Sequence, residues 1–163
     1  SRRPVRQRDR KEEADTVNPT RVDRELGNLA ALALQSHEVL DFLCDQTEQL
    51  LIGAEGRDGE NLLRSILTSR PDVLQSAAVN TFLQRQTRED RAALLALLEE
   101  PTPQNPLGAA TEILGILAEQ GILRELGSLG AQLKSPDVTE VESEEIMRKI
   151  TELQRIRSEA KNS

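Results

Sequence analysis

Residues 105–156 read NPLGAATEILGILAEQGILRELGSLGAQLKSPDVTEVESEEIMRKITELQRI, and this stretch decides the fold. Asn105 can cap a helix, and Pro106 suits a first helical position because its missing N–H would be unpaired there anyway. Leu107, Leu114, Leu117, Leu126, Leu129 and Leu133 follow at helical spacing, and the chain then breaks at Ser135-Pro136-Asp137. A second helix carries Ile146, Ile150, Leu153 and Ile156. The pattern predicts two helices folded back on each other, with apolar stripes and charged flanks suited to touching a further helix.

The apolar positions of the first helix change side along its length. At about 100° per residue, Leu107, Ala110, Leu114, Leu117 and Gly121 gather on one side, whereas Ile122, Leu126, Leu129 and Leu133 gather well round the axis from them. A straight helix with one buried face cannot satisfy both sets. The first half should therefore face a bundle and the second half something else. Gly121 lies at the switch, where a kink or break costs least, so a boundary is expected near Gln120-Gly121. The alternative is a plain helix end at Gly121 with both halves in one globule.

The second helix has its own start signal, since Thr139 and Glu142 match the T-x-x-E capping box. Residues 137–145 hold five acidic and no basic side chains, and residues 146–163 hold five basic and two acidic. That order suits the helix dipole, with acids at its N-terminus and bases at its C-terminus. Ile146, Ile150 and Leu153 form a narrow stripe for the first helix, with Met147 and Ile156 on its opposite edges. A two-helix pair buries only its shared seam, so these flanking groups should stay partly exposed and offer a partner surface. A self-contained hairpin packed back on the bundle is the competing expectation.

Upstream, the chain again reads as helices joined by short connections. Asn18-Pro19 is a helix start leading into Leu26, Leu29, Ala30, Ala33 and Leu34. Ser36 can cap Val39–Leu43, Thr47 a turn with Leu50 and Leu51, and Asp58 a helix with Leu62, Leu63, Ile66 and Leu67. Pro71 should open a short helix and Ser76 or Ala77 another with Val79, Phe82 and Leu83. Thr87 and Asp90 form a shortened capping box before Leu94, Leu95, Leu97 and Leu98, all expected to seat deeply. Pro101, Pro103 and Pro106 end that run. The core is Leu, Ala and Ile, and aromatics make up only 1% of the chain (Phe42 and Phe82), which favours helices over strands. The expectation is an all-α chain: a disordered linker over 1–17, a compact helical bundle over 18–120 and a protruding two-helix hairpin over 121–163.

Charge and composition remove several functions. The net charge is −7, yet residues 1–16 hold six basic and four acidic groups, so the acidic excess lies in the remaining body. An acidic body repels phosphate, and without Trp or Tyr it lacks stacking platforms, so direct nucleic-acid binding is not expected. The longest apolar run, Ala92–Leu98, is seven residues and cannot cross a bilayer. Cys44 is the lone cysteine, expected as a core thiol in a reducing compartment. The lone His37 sits at a helix start, Gly56-x-x-Gly59 lacks the strand and lysine of a phosphate loop, and Glu142, Glu144 and Glu145 point apart on a helix and suit its dipole. No catalytic residue, metal site or cofactor is expected. The chain opens without Met and ends Lys161-Asn162-Ser163, which reads as the C-terminal piece of something longer.

Over about residues 18–160 the order of parts resembles the C-terminal helicase-binding domain of bacterial DNA primase. The resemblance lies in a polar linker, then RELGNLAALALQSHEVLDFL, NLLRSIL, FLQRQTREDRAALLALLEEPTPQNPL and, after a long helix, SPDVTEVESEEIMRKITELQRIRSEA. It implies a helical bundle and hairpin that dock on the N-terminal domain of the replicative helicase in the bacterial cytoplasm, bringing primase to the fork and modulating the helicase. The docking set it suggests is Leu129, Leu133, Ile146, Met147, Arg148, Lys149, Ile150, Leu153 and Ile156, on a monomer. Arg21 and Arg24 fall near the place where some relatives bind the C-terminal tail of the single-strand-binding protein, although Gly27 stands where a basic residue would be expected. The zinc ribbon and polymerase core of primase are absent from this chain. A second reading, the N-terminal helical scaffold of a replicative helicase, would require an oligomeric hairpin collar.

Overall fold

The computed structural model describes residues 22–161, and among these every regular element is a helix. In chain order they are α1 (Arg24–Gln35), α2 (His37–Asp45), α3 (Thr47–Ala54), α4 (Glu60–Ser69), α5 (Ser76–Gln84), α6 (Arg88–Leu98), α7 (Pro106–Leu133) and α8 (Glu140–Lys161). The linker expected over 1–17, and the start at Asn18-Pro19, lie outside the described residues. The first described helix begins at Arg24, where the Asp23 carboxylate accepts from the amides of Glu25 and Leu26.

The unbroken apolar run of α1 is its signature as the central helix. Leu29 to Leu34 are all buried, because α2, α4, α6 and α7 surround it. A helix apolar all round needs neighbours on every side. Val39, Leu43, Leu62, Leu63, Ile66, Phe82, Leu83 and Leu94 complete the bundle core with Leu114 and Leu117 of α7. Among the described residues this core contains no buried polar or charged residue.

Several local expectations need correction. Thr47 does not cap α3; it is the first helical residue, and its hydroxyl donates to the Cys44 carbonyl at 2.7 Å. Asp58 does not cap α4. Gly59 occupies that position at φ +114°, while the Asp58 carbonyl accepts from the Asp23 amide at 2.6 Å. Pro71 opens a turn, not a helix, because the Asp72 carboxylate accepts from the Leu74 amide and the chain reverses there. On α6, Leu94 is buried, Leu97 and Leu98 are half-buried, and Leu95 is 47% exposed. Those four leucines span about 160° of the helix, more than its packing against α1 can cover. Cys44 is half-buried at the core's edge, and burial pushes its thiol up.

Helix α7 runs unbroken for 28 residues, about 42 Å. Gly121 is neither a kink nor a break; it is where α3 crosses. A Cβ there would lie 2.4 Å from the Ile52 carbonyl oxygen and 2.9 Å from the Gly53 Cα. Reciprocally, a Cβ on Gly53 would lie 2.8 Å from the Leu117 carbonyl carbon. The glycines supply room for two backbones to approach.

The change of face is present in the packing. Ala110, Leu114 and Leu117 enter the bundle core, whereas Ile122 and Leu129 enter a second cluster with Ile146, Leu153 and Ile156 of α8. The two α7 sets are centred about 110° apart by helical geometry, so one helix serves two partners side by side. The hairpin also begins earlier than Gly121. Arg157 of α8 pairs with Glu119 at 2.6 Å, and Ala160 borders the same hollow as Thr111 and Gly115. The base of the hairpin is tied to the bundle by Arg155 to Glu48, by Arg124 to the Glu55 carbonyl, and by Ile52 packed on the second cluster.

Candidate docking surface

The hairpin turns at 134–139, and its returning helix is locked at the start. Thr139 Oγ1 accepts from the Glu142 amide at 3.1 Å, and Glu142 Oε1 accepts from the Thr139 amide at 2.9 Å. This is the complete capping box, and two otherwise unpaired helix-end donors are satisfied by it. The donated amide holds the Glu142 carboxyl below the usual range, so the box is made by the ionised form.

The expected docking residues divide by exposure. Leu129, Ile146, Leu153 and Ile156 are buried, and Leu133 and Ile150 are half-buried against the same cluster. These six hold α7 to α8 and cannot meet a partner while the hairpin is closed. Ile156 in particular is not an exposed flank. It is 3% exposed, because α8 comes back against the base of the bundle where Ile52 joins the seam. Met147 is 50% exposed, and Arg148 and Lys149 are exposed beside it. Arg148 is paired with Glu145 one turn earlier.

The structure adds residues that the sequence pattern did not single out. Val141 is 76% exposed. With Val138 and Ile146 it floors an open groove of about 550 Å³ at the hairpin's end, bordered by Gln132, Ser135, Asp137, Glu142, Glu145 and Lys149. A valine in the second position of an otherwise acidic helix start was the available signal, since neither capping nor the dipole asks for it. Met147 lies about 120° round α8 from Val141, outside the groove. The exposed large apolar groups of α8 thus form two separate patches, and Leu123 of α7 is 48% exposed as well.

Other candidates resolve into structure. The Gly56–Gly59 loop holds Arg57, whose guanidinium pairs with Asp23 and Glu25, both at 2.9 Å, and reaches Gln120 of α7. It ties the start of α1 to α7. His37 is exposed at the start of α2. Arg24 is exposed at the start of α1, and Arg21 lies outside the described residues. Among the described residues no group of three or more His, Cys, Asp or Glu side chains is placed to hold a metal ion. Among them, too, no helix is long and apolar enough to cross a membrane. No family model, curated protein or solved structure matches the chain.

Proposed function

We propose that this chain is a docking module, the helicase-binding domain of a bacterial DNA primase, and that the hairpin docks on the N-terminal domain of the replicative helicase. The observation that carries the docking reading is the exposure of Val141 and Met147 on a hairpin whose seam is otherwise closed. Large apolar groups on a projecting arm lower their free energy by meeting a partner, at about 25 cal/mol per Å² of apolar area covered. The choice of partner rests on the ordered resemblance of the chain to the primase domain. In this reading the chain carries no catalytic residue and no cofactor, binds no nucleic acid directly, and acts as a monomer in the bacterial cytoplasm. A hairpin offers a small interface and hence a transient one, and a ring of identical helicase subunits would raise its occupancy through local concentration.

The test is co-elution with the isolated helicase N-terminal domain at micromolar concentration, followed by calorimetry. Val141→Asp and Met147→Asp are each expected to weaken binding by about tenfold or more with unchanged helical circular dichroism. Absence of binding by the parent chain would end the helicase reading. Light scattering that found a dimer or ring of this chain alone would shift the assignment to the helicase's own scaffold domain.

A further inference from the structure

The groove at the hairpin's end has a chemistry that specifies its occupant more closely. Its floor is Val138, Val141 and Ile146, and its rim carries Asp137, Glu142 and Glu145, with Lys149 at one edge and Glu145 paired to Arg148. Residues 134–149 hold five carboxylates against three cations, and all three cations (Lys134, Arg148 and Lys149) sit at the borders of the stretch. The two helix ends that meet here are the C-terminus of α7 and the N-terminus of α8. Their dipole charges, about −0.5 and +0.5, offset each other, so the side chains set the field. Glu142 is ionised, held so by the Thr139 amide. The groove is open, and among the described residues no buried side-chain polar atom lacks a partner. An open groove encloses less of a small molecule than a deep cleft does, which favours a larger partner.

We infer that this groove accepts an amphipathic helix of the partner whose apolar ridge is flanked by lysine or arginine. The inference rests on the docking reading above and adds the partner's chemistry to it. An apolar ridge covers Val138, Val141 and Ile146, and the flanking cations face the carboxylate rim. Lys149 marks the inner edge of the acidic stretch, so the partner's basic flank lies toward the turn. Complementary charge of this kind raises association rates and rejects partners of the wrong sign.

The experiment titrates the isotope-labelled chain with two synthetic helical peptides that share one leucine ridge, one flanked by lysines and the other by glutamates. The lysine peptide is expected to shift the amide resonances of Val138, Val141, Glu142 and Ile146, and the glutamate peptide to leave them unmoved. Raising the salt to about 1 M, where the Debye length is about 3 Å, should weaken the lysine peptide sharply. Asp137→Lys combined with Glu145→Lys should reverse the preference, with about a tenfold loss for the lysine peptide. Val141→Ser, which leaves every charge in place, should also weaken it. Equal binding of both peptides, binding of neither, or shifts centred on Ile116 and Leu123 of α7 would overturn the proposal. A parallel titration with the helicase N-terminal domain separates the two ideas. If that domain docks while the lysine peptide fails, only the partner's chemistry is wrong. If the peptide binds and the domain does not, the groove stands and the helicase assignment falls.

Discussion

The bundle and the hairpin are built from the same kinds of side chain and differ in how many neighbours surround them. In the bundle, α1 is enclosed by α2, α4, α6 and α7, and its apolar run is buried on every side. In the hairpin, α8 packs on α7 and touches α3 at its base through Ile52 and Glu48. A helix with one main neighbour buries one stripe, so Val141 and Met147 are left in water beside a seam that is closed. Exposure on the hairpin is thus a consequence of two-layer packing, and it leaves apolar groups in water while no buried side-chain polar atom among the described residues lacks a partner.

The strongest way to break this comparison is Leu29→Ala. Leu29 is fully buried at the bundle's centre, and the cavity should cost about 3–5 kcal/mol, read as a lower urea midpoint at constant slope. Gly121→Ala should cost about 2–3 kcal/mol in the same measurement, because the new Cβ meets the backbone of α3 and a backbone cannot turn aside. A small effect there would mean the two helices are not in close approach.

Ile156→Ala should cost about 2 kcal/mol and act locally. Amide exchange should quicken in α8 while α1 keeps its protection, since the seam can open without the bundle. Equal loss in both would show that hairpin and bundle form one cooperative unit. Gly127→Ala runs the other way. Nothing lies within 4 Å of its added Cβ, so reduced chain entropy and better helix propensity should stabilise by about 0.5–1 kcal/mol.

The smallest effect is that of pH on the capping box. Glu142 has a lowered carboxyl pKa in the folded state, relative to an ordinary value of 4.5. Its contribution is therefore fully present above that ordinary value and is lost as pH falls through the folded one. Amides in the first turn of α8 should exchange faster in that acid window, and Glu142→Gln should flatten the dependence.

Much of this was readable in the linear pattern. The 3.6-residue spacing of leucines marked the helices, and Ser36, Thr87, Asn105 and Thr139 each cap as their side chains allow. The places where that reading failed are those where a local rule met a distant neighbour. Thr47 and Asp58 are competent caps, but their positions are taken over by a hydroxyl-to-carbonyl bond and by the clamp on Asp23. For the candidate surface, Met147 was visible as an apolar residue off the seam, whereas the groove around Val141 requires the turn, the end of α7 and the start of α8 to be brought together.

The amino-acid sequence by itself determined the helical class, the caps that start the hairpin, the acidic-then-basic charge order of α8 and the existence of two apolar sides on α7. These are local properties, carried by residues within a few turns of each other. Only the tertiary structure decided that α7 stays straight through Gly121, that Ile156 is covered, and that Val141 lines a groove. Periodicity records which residues share a face of one helix, but not which other helix arrives to cover that face or leaves it in water.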